Sequence, residues 1–216
     1  MGHRLWRLSL AALLAVFTGL TAQVSFSVGP VPFTMQNAGV ALSGLLLPPG
    51  WALVSQLAYL LLIAAGAPLA AGLKGGAWVL VGLTGGYLAG FPVAALLTSL
   101  LRRSYERLRG RALGEMGRRD LAVIWALTCV SSTPIYLLGY LVFAAWVAAD
   151  PRLALWSAKA ASLVGVSDPA WVLPVAAVLI FIPEDFLVDH TVAVLAAWSV
   201  ARILPREYSV LNRSTP

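Results

Sequence analysis

What most limits how this chain can fold is its succession of long apolar runs, each closed by arginines, prolines or acids. The run from Asp120 to Ala149 carries no Asp, Glu, Lys or Arg after its first residue, and a bilayer core takes about 20 apolar residues per helix. With 60% hydrophobic and only 11% charged residues, the chain is not a soluble globule, whose charged share is about a quarter. The runs 5–22, 34–47, 50–66, 77–101, 120–149 and 184–203 predict an all-α integral membrane protein. It is one membrane domain of six transmembrane helices over residues 1–216.

The net charge of +6 does not point to nucleic acid, because the excess lies at the ends of apolar runs, where it sets orientation in the membrane. Seven arginines (102, 103, 107, 109, 111, 118 and 119) face only Glu106 and Glu115 between the fourth and fifth runs, which predicts a cytoplasmic loop. These arginines serve retention and contact with lipid headgroups, or they form a docking surface. Four spans precede the loop, so the N-terminus is cytoplasmic, in agreement with Arg4 and Arg7, and Arg202, Arg206 and Arg213 hold the C-terminus on the same side. Met1 to Ala22 also has the charged head and apolar middle of a signal peptide. The processing site around Leu20–Ala22 is poorly formed, and the segment reads better as the first span. Within it Ala11 and Ala15 share a helix face, a small-xxx-small pattern that permits close contact with another helix.

Between the first two spans, Gln23 to Gln36 contains Pro30 and Pro32 and excludes a continuous helix. Its backbone must lie outside the hydrocarbon or be buried in protein, so it predicts a proline-rich lid or plug. The apolar run Trp171 to Ile182 is too short to cross and reads as interfacial or re-entrant, inside a long connection that begins at Asp150. The topology places Gln36, the Lys74 turn and Asp185 together at the outer side.

The stretch Leu73 to Phe91 is the richest in information. Gly82, Gly85, Gly86 and Gly90 interrupt an apolar helix and let a neighbouring backbone or a flat ligand come close. Two readings stand: tight packing between helices, or the floor of a ligand pocket with Thr84 and Tyr87 supplying polar groups and a ring face.

Pro183, Glu184 and Asp185 suit the start of the last span, but two acids followed by Asp189 and His190 exceed what a cap requires. Ionisable groups in a span point to a functional cavity. His190 is a possible general base or ligand, yet the only other histidine is His3, so no metal site is expected. Cys129 stands alone, which excludes a disulfide framework or a thiolate cluster. Ser131 and Ser132 lack the surroundings of a hydrolytic nucleophile, which leaves an intramembrane hydrolase built on His190 as a remote alternative. No phosphate-binding loop is present, nor an evident pair of inverted halves. The residues predict a substrate-binding membrane subunit, not an enzyme and without a cofactor, whose energy comes from another protein.

Three stretches resemble the BioY family of substrate-binding components from energy-coupling factor (ECF) transporters. They are VGPVPFTMQN (Val28 to Asn37), GGAWVLVGLTGGYLAGF (Gly75 to Phe91) and IPED (Ile182 to Asp185). The resemblance implies capture of biotin from outside, with a transmembrane coupling protein and two ATPase subunits as partners. It also implies that Gln36, Tyr87 and Asp185 bind the ligand and that Ala11 and Ala15 contact the coupling protein; physically, the Asp185 carboxylate can accept the ureido N–H groups, while Gln36 and Thr84 address the carbonyl. The chain departs from the family pattern at Leu83, Glu184 and Val188, which stand in place of proline, glycine and lysine. Lys74 then becomes a candidate partner for the ligand's carboxylate, and another small vitamin or biotin precursor becomes the alternative ligand.

Overall fold

A computed structural model describes residues 2–26 and 30–203, with side chains from Arg4 onward. The chain is mostly helical. Helix α1 spans Gly2–Thr21, α2 Gln36–Leu46 and α3 Pro49–Ala64. A short α4, Ala77–Val81, precedes α5, Gly85–Arg109. Then come α6, Arg118–Ser131, α7, Thr133–Ala149, and α8, Pro151–Leu163. A last helical stretch, α9, covers Pro169–Ile203. Three stretches, Arg4–Thr21, Arg118–Ala149 and Pro169–Ile203, are long and apolar enough to cross a membrane.

The first three helices are knit together by small residues. Ala11 and Ala15 are 2% and 0% exposed, and a Cβ at Gly19 would meet Leu69, so the stripe along α1 lies against the chain's own helices. Ser55 donates to the Ala11 carbonyl at 2.8 Å, and the Gln56 amide donates to Thr18 and Ser43 at 3.1 and 2.8 Å. Within this chain, α3 closes on the α1 backbone at Ala11.

Helix α2 has every residue from Gln36 to Leu45 buried. At 1.5 Å per residue it is roughly 16 Å long, short of a bilayer crossing, and it is covered by α1, α5 and α9. It begins at Gln36 and not at Thr34, because the segment before it forms a hairpin. Strand β1, Ser25–Phe26, pairs antiparallel with β2, Phe33–Thr34, so the fold is not wholly α. Phe26 stacks on Phe33 at 4.7 Å, and Phe33 meets Phe181 at 4.6 Å, which seats the hairpin on α9.

The run expected as one span over 77–101 is broken at Gly82–Thr84 and continues to Arg109. A side chain at Gly85 would overlap the Leu80 carbonyl, so this reversal accepts only glycine. The arginines 102, 103, 107 and 109 are therefore helical and not in a loop. Arg102 pairs with Glu106 at 2.7 Å one turn on, and Arg109 pairs with Asp120 at 2.9 Å, fastening the end of α5 to the start of α6. The packing of α5 against α7 is the most extensive in the fold. Gly86 and Gly90 lie on the backbones of Leu138 and Ile135.

The run 120–149 is likewise two helices. Pro134 has no N–H to bond the Val130 carbonyl, which accepts from the Thr133 hydroxyl instead at 2.7 Å, and the chain turns there.

The connection after Asp150 is helical too, with Asp150 capping α8 and Asp168 capping α9 through N–H contacts of 2.9 Å each. The last long apolar helix starts at Pro169, and Trp171 to Ile182 belongs to it. Pro174 and Pro183 do not end this helix. Each removes a backbone N–H, and wider π turns at Val175–Leu179 and Asp185–His190 absorb the mismatch.

Candidate ligand-binding site

A cavity of about 200 Å³ opens between the hairpin, the 66–76 turn, α2, α5, α7 and α9. Gln36, Lys74, Thr84, Tyr87 and Asp185 all line it, although they are scattered from the second helix to the last. The break between α4 and α5 puts Gly82, Leu83 and Thr84 on its surface. The glycine-rich stretch thus divides its labour: Gly82 borders the cavity, whereas Gly86 and Gly90 pack helix on helix.

Depth orders the polar groups. Lys74 is exposed at the rim, and Gln36 and Asp185 are 8% and 5% exposed at the bottom. The Tyr136 hydroxyl donates to Asp185 Oδ2 at 2.7 Å, and the side chains of Asn37 and Glu184 also bond this carboxyl group. Gln36 is held at both ends of its amide: Oε1 accepts from Thr34 at 2.9 Å and Nε2 donates to Tyr59 at 2.6 Å. The Tyr59 hydroxyl in turn donates to the Leu69 carbonyl at 3.1 Å. This chain of contacts fixes the amide before any ligand arrives.

Tyr87 contributes mainly its ring. Its hydroxyl donates to the Ala177 carbonyl at 2.7 Å, and Gly139 provides the flat surface on which the ring rests. Phe91, Leu88, Ile135 and Phe181 complete an apolar middle. The result is a small hollow with hydrogen-bond acceptors below, aromatic faces around and an ammonium group above.

Glu184 and Asp185 lie inside α9 and are not its cap, so the capping explanation for these acids does not hold. Oxygens of Glu184, Asp185 and Asp189 come within 4.8 Å of one another; these three would supply the ligands of any cation held there. Asp189 Oδ2 accepts the Ala38 N–H at 3.1 Å and ties α9 to the start of α2.

His190 is 2% exposed, its ring meets Phe186 edge-on at 5.5 Å, and neither ring nitrogen has a hydrogen-bond partner. The Ser131 and Ser132 hydroxyls bond the carbonyls of Leu127 and Cys129. Among the described residues there is no serine–histidine pair, and the hydrolase alternative loses its basis.

Val188, at the position where the resemblance leads one to expect lysine, is 41% exposed and does not line the cavity. Sequence reasoning missed Tyr136, Tyr59 and Asn37.

The chain matches the family model described as the BioY family over residues 3–206. The "Probable biotin transporter BioY" of Pyrococcus horikoshii is 37% identical over 135 residues, 62% of this chain and 83% of that protein. The "Biotin transporter BioY" of Thermotoga maritima is 41% identical over 115 residues, 52% of this chain and 67% of that protein. The protein of the same name from Rhodobacter capsulatus is 32% identical over 199 residues, 92% and 93% of the two chains. The fold is similar to a crystal structure of "the S-component for biotin from an ECF-type ABC transporter". That match has a TM-score of 0.72 and 18% identity, and covers 95% of this chain and 96% of that one.

Proposed function

Because the chain belongs to the BioY family, a family of multi-pass membrane transporters and not of enzymes, we propose that it takes up biotin as the substrate-binding subunit of an ECF-type transporter. The observation that carries this reading is the buried Asp185 carboxylate, held by Tyr136 at 2.7 Å in a cavity that Gln36, Thr84 and Tyr87 also line. Asp185 accepts the two ureido N–H groups in a charge-assisted contact. Gln36 and Thr84 address the ureido carbonyl, Tyr87 and Trp78 cover the apolar bicycle, and Lys74 meets the valerate carboxylate.

In this reading the chain passes through the membrane six times with both ends in the cytoplasm, counting α4 with α5 and α6 with α7 as single passes and the short α2 as a pass enclosed by α1, α5 and α9. The proline-rich segment, with its paired strands at Ser25–Phe26 and Phe33–Thr34, acts as the lid over an outward-facing site. The energy for reorientation comes from a coupling protein and two ATPase subunits, since the sequence offers no phosphate-binding loop of its own. No cofactor is required.

The test is equilibrium binding of biotin, dethiobiotin and unrelated vitamins to the purified protein. Saturable biotin binding that the unrelated vitamins do not displace is the expected result. No measurable biotin affinity, with saturable binding of another vitamin, overturns the ligand while leaving the architecture.

A further inference from the structure

The rim of the cavity is braced in a way that ligand contacts alone do not require. The 66–76 turn leaves and re-enters the fold at one point, where the Ile63 carbonyl accepts the N–H groups of Gly66 and Gly76 at 2.9 and 2.7 Å. Between them the backbone is left-handed at Gly66, Gly72, Leu73 and Gly76, with φ of 98°, 70°, 56° and 105°. Glycine adopts this region freely, but Leu73 carries a Cβ and stays there only if its surroundings hold it.

The holding group is the Gln23 side chain, just past the end of α1. Its Oε1 accepts the Leu73 N–H at 2.9 Å, while its Nε2 donates to the carbonyls of Ala70 at 3.1 Å and Gly19 at 2.9 Å. Ala70 is paired in turn with Lys74, its N–H donating to the Lys74 carbonyl at 3.0 Å. One carboxamide therefore grips the turn at Ala70 and Leu73, just ahead of the lysine, and anchors it to α1. Among the described residues that line the cavity, Lys74 is the one cationic side chain, and the two acids there, Glu184 and Asp185, are on a different element. A lysine is a point charge on a flexible stem. Where its ammonium spends its time depends on how firmly its backbone is fixed.

We infer that Gln23 is a positioning residue for Lys74, and that through it the chain selects ligands whose tail ends in an anion. This rests on the proposed function, in which that anion is the carboxylate of biotin. A plain staple between α1 and the turn would stabilise the fold but would not distinguish a charged ligand tail from an uncharged one.

The experiment measures equilibrium binding of biotin and of its uncharged carboxamide to purified wild-type, Lys74→Ala, Gln23→Ala and doubly substituted protein. For an exposed, partly screened ion contact, Lys74→Ala should weaken biotin binding about fivefold to tenfold and Gln23→Ala about threefold, with the carboxamide changed by less than about twofold in both. The double variant should bind biotin no more weakly than Lys74→Ala, because the two substitutions remove one interaction. Carboxamide binding also reports that each variant is folded. Equal losses for acid and carboxamide in Gln23→Ala, losses that multiply in the double variant, or a Gln23→Ala protein that binds biotin like the parent would each overturn the inference. A wild-type protein that binds neither compound would instead defeat the biotin reading on which it stands.

Discussion

The two walls of the cavity are built by opposite means. On the side of α5, side chains are removed: Gly85 lets the chain fold back on Leu80, and Gly86 and Gly90 let α5 touch the backbone of α7. On the side of α9, side chains are kept and the helix is widened, so that Glu184, Asp185 and Asp189 gather on one short segment. The first wall is stiff because nothing in it can yield. The second carries the charges, and its geometry depends on hydrogen bonds to its neighbours. Rigidity and chemistry are thus assigned to different helices.

The comparison is broken most severely at the stiff wall. Overpacking a core usually costs about 1–3 kcal/mol, but a valine at Gly86 would press on the Leu138 carbonyl and no rotamer relieves that. Gly86→Val is expected to prevent recovery of monodisperse protein from detergent, read by gel filtration. Recovery of a Gly86→Val protein with the parent's thermal midpoint would show that the α5–α7 contact is looser than described.

An intermediate effect is expected at the charged wall. Tyr136→Phe takes away the donor to Asp185 Oδ2, which costs roughly 1–3 kcal/mol for a buried group left short of a partner. The protein should fold, with a lower thermal midpoint and weaker biotin binding. Unchanged stability and affinity would separate Tyr136 from the site.

The smallest effect sharpens the contrast. A Cβ added at Gly50 would meet nothing within 4 Å, and this glycine lies in the first turn of α3, so Gly50→Ala should change stability by no more than about 0.5 kcal/mol. A large loss there, seen by thermal unfolding, would mean that glycine content and not glycine location governs this fold.

The same contrast explains what could be read from the sequence. The glycine-built wall was visible because each close approach is written as a letter: Gly82 to Gly90 stood out against an apolar background, as did the excluded helix between Gln23 and Gln36. The widened wall has no letter of its own. Pro174 and Pro183 read as helix boundaries, since proline ordinarily ends a helix, and only the fold reveals that π turns carry α9 past both. Ala11 and Ala15 were recognised as a packing face, but spacing does not say whether the partner belongs to the same chain. The cavity's residues were named because acids and amides in apolar runs are costly and therefore informative. Tyr136 was overlooked because its value lies in a hydrogen bond across 49 positions, which no local pattern encodes.

The central claim concerns one carboxylate at the bottom of the hollow. Equilibrium binding of labelled biotin to purified wild-type and Asp185→Asn protein tests it most directly. The account predicts saturable binding to the parent and at least a tenfold loss on substitution, equivalent to about 1.4 kcal/mol. An Asp185→Asn protein that binds biotin as tightly as the parent would contradict it.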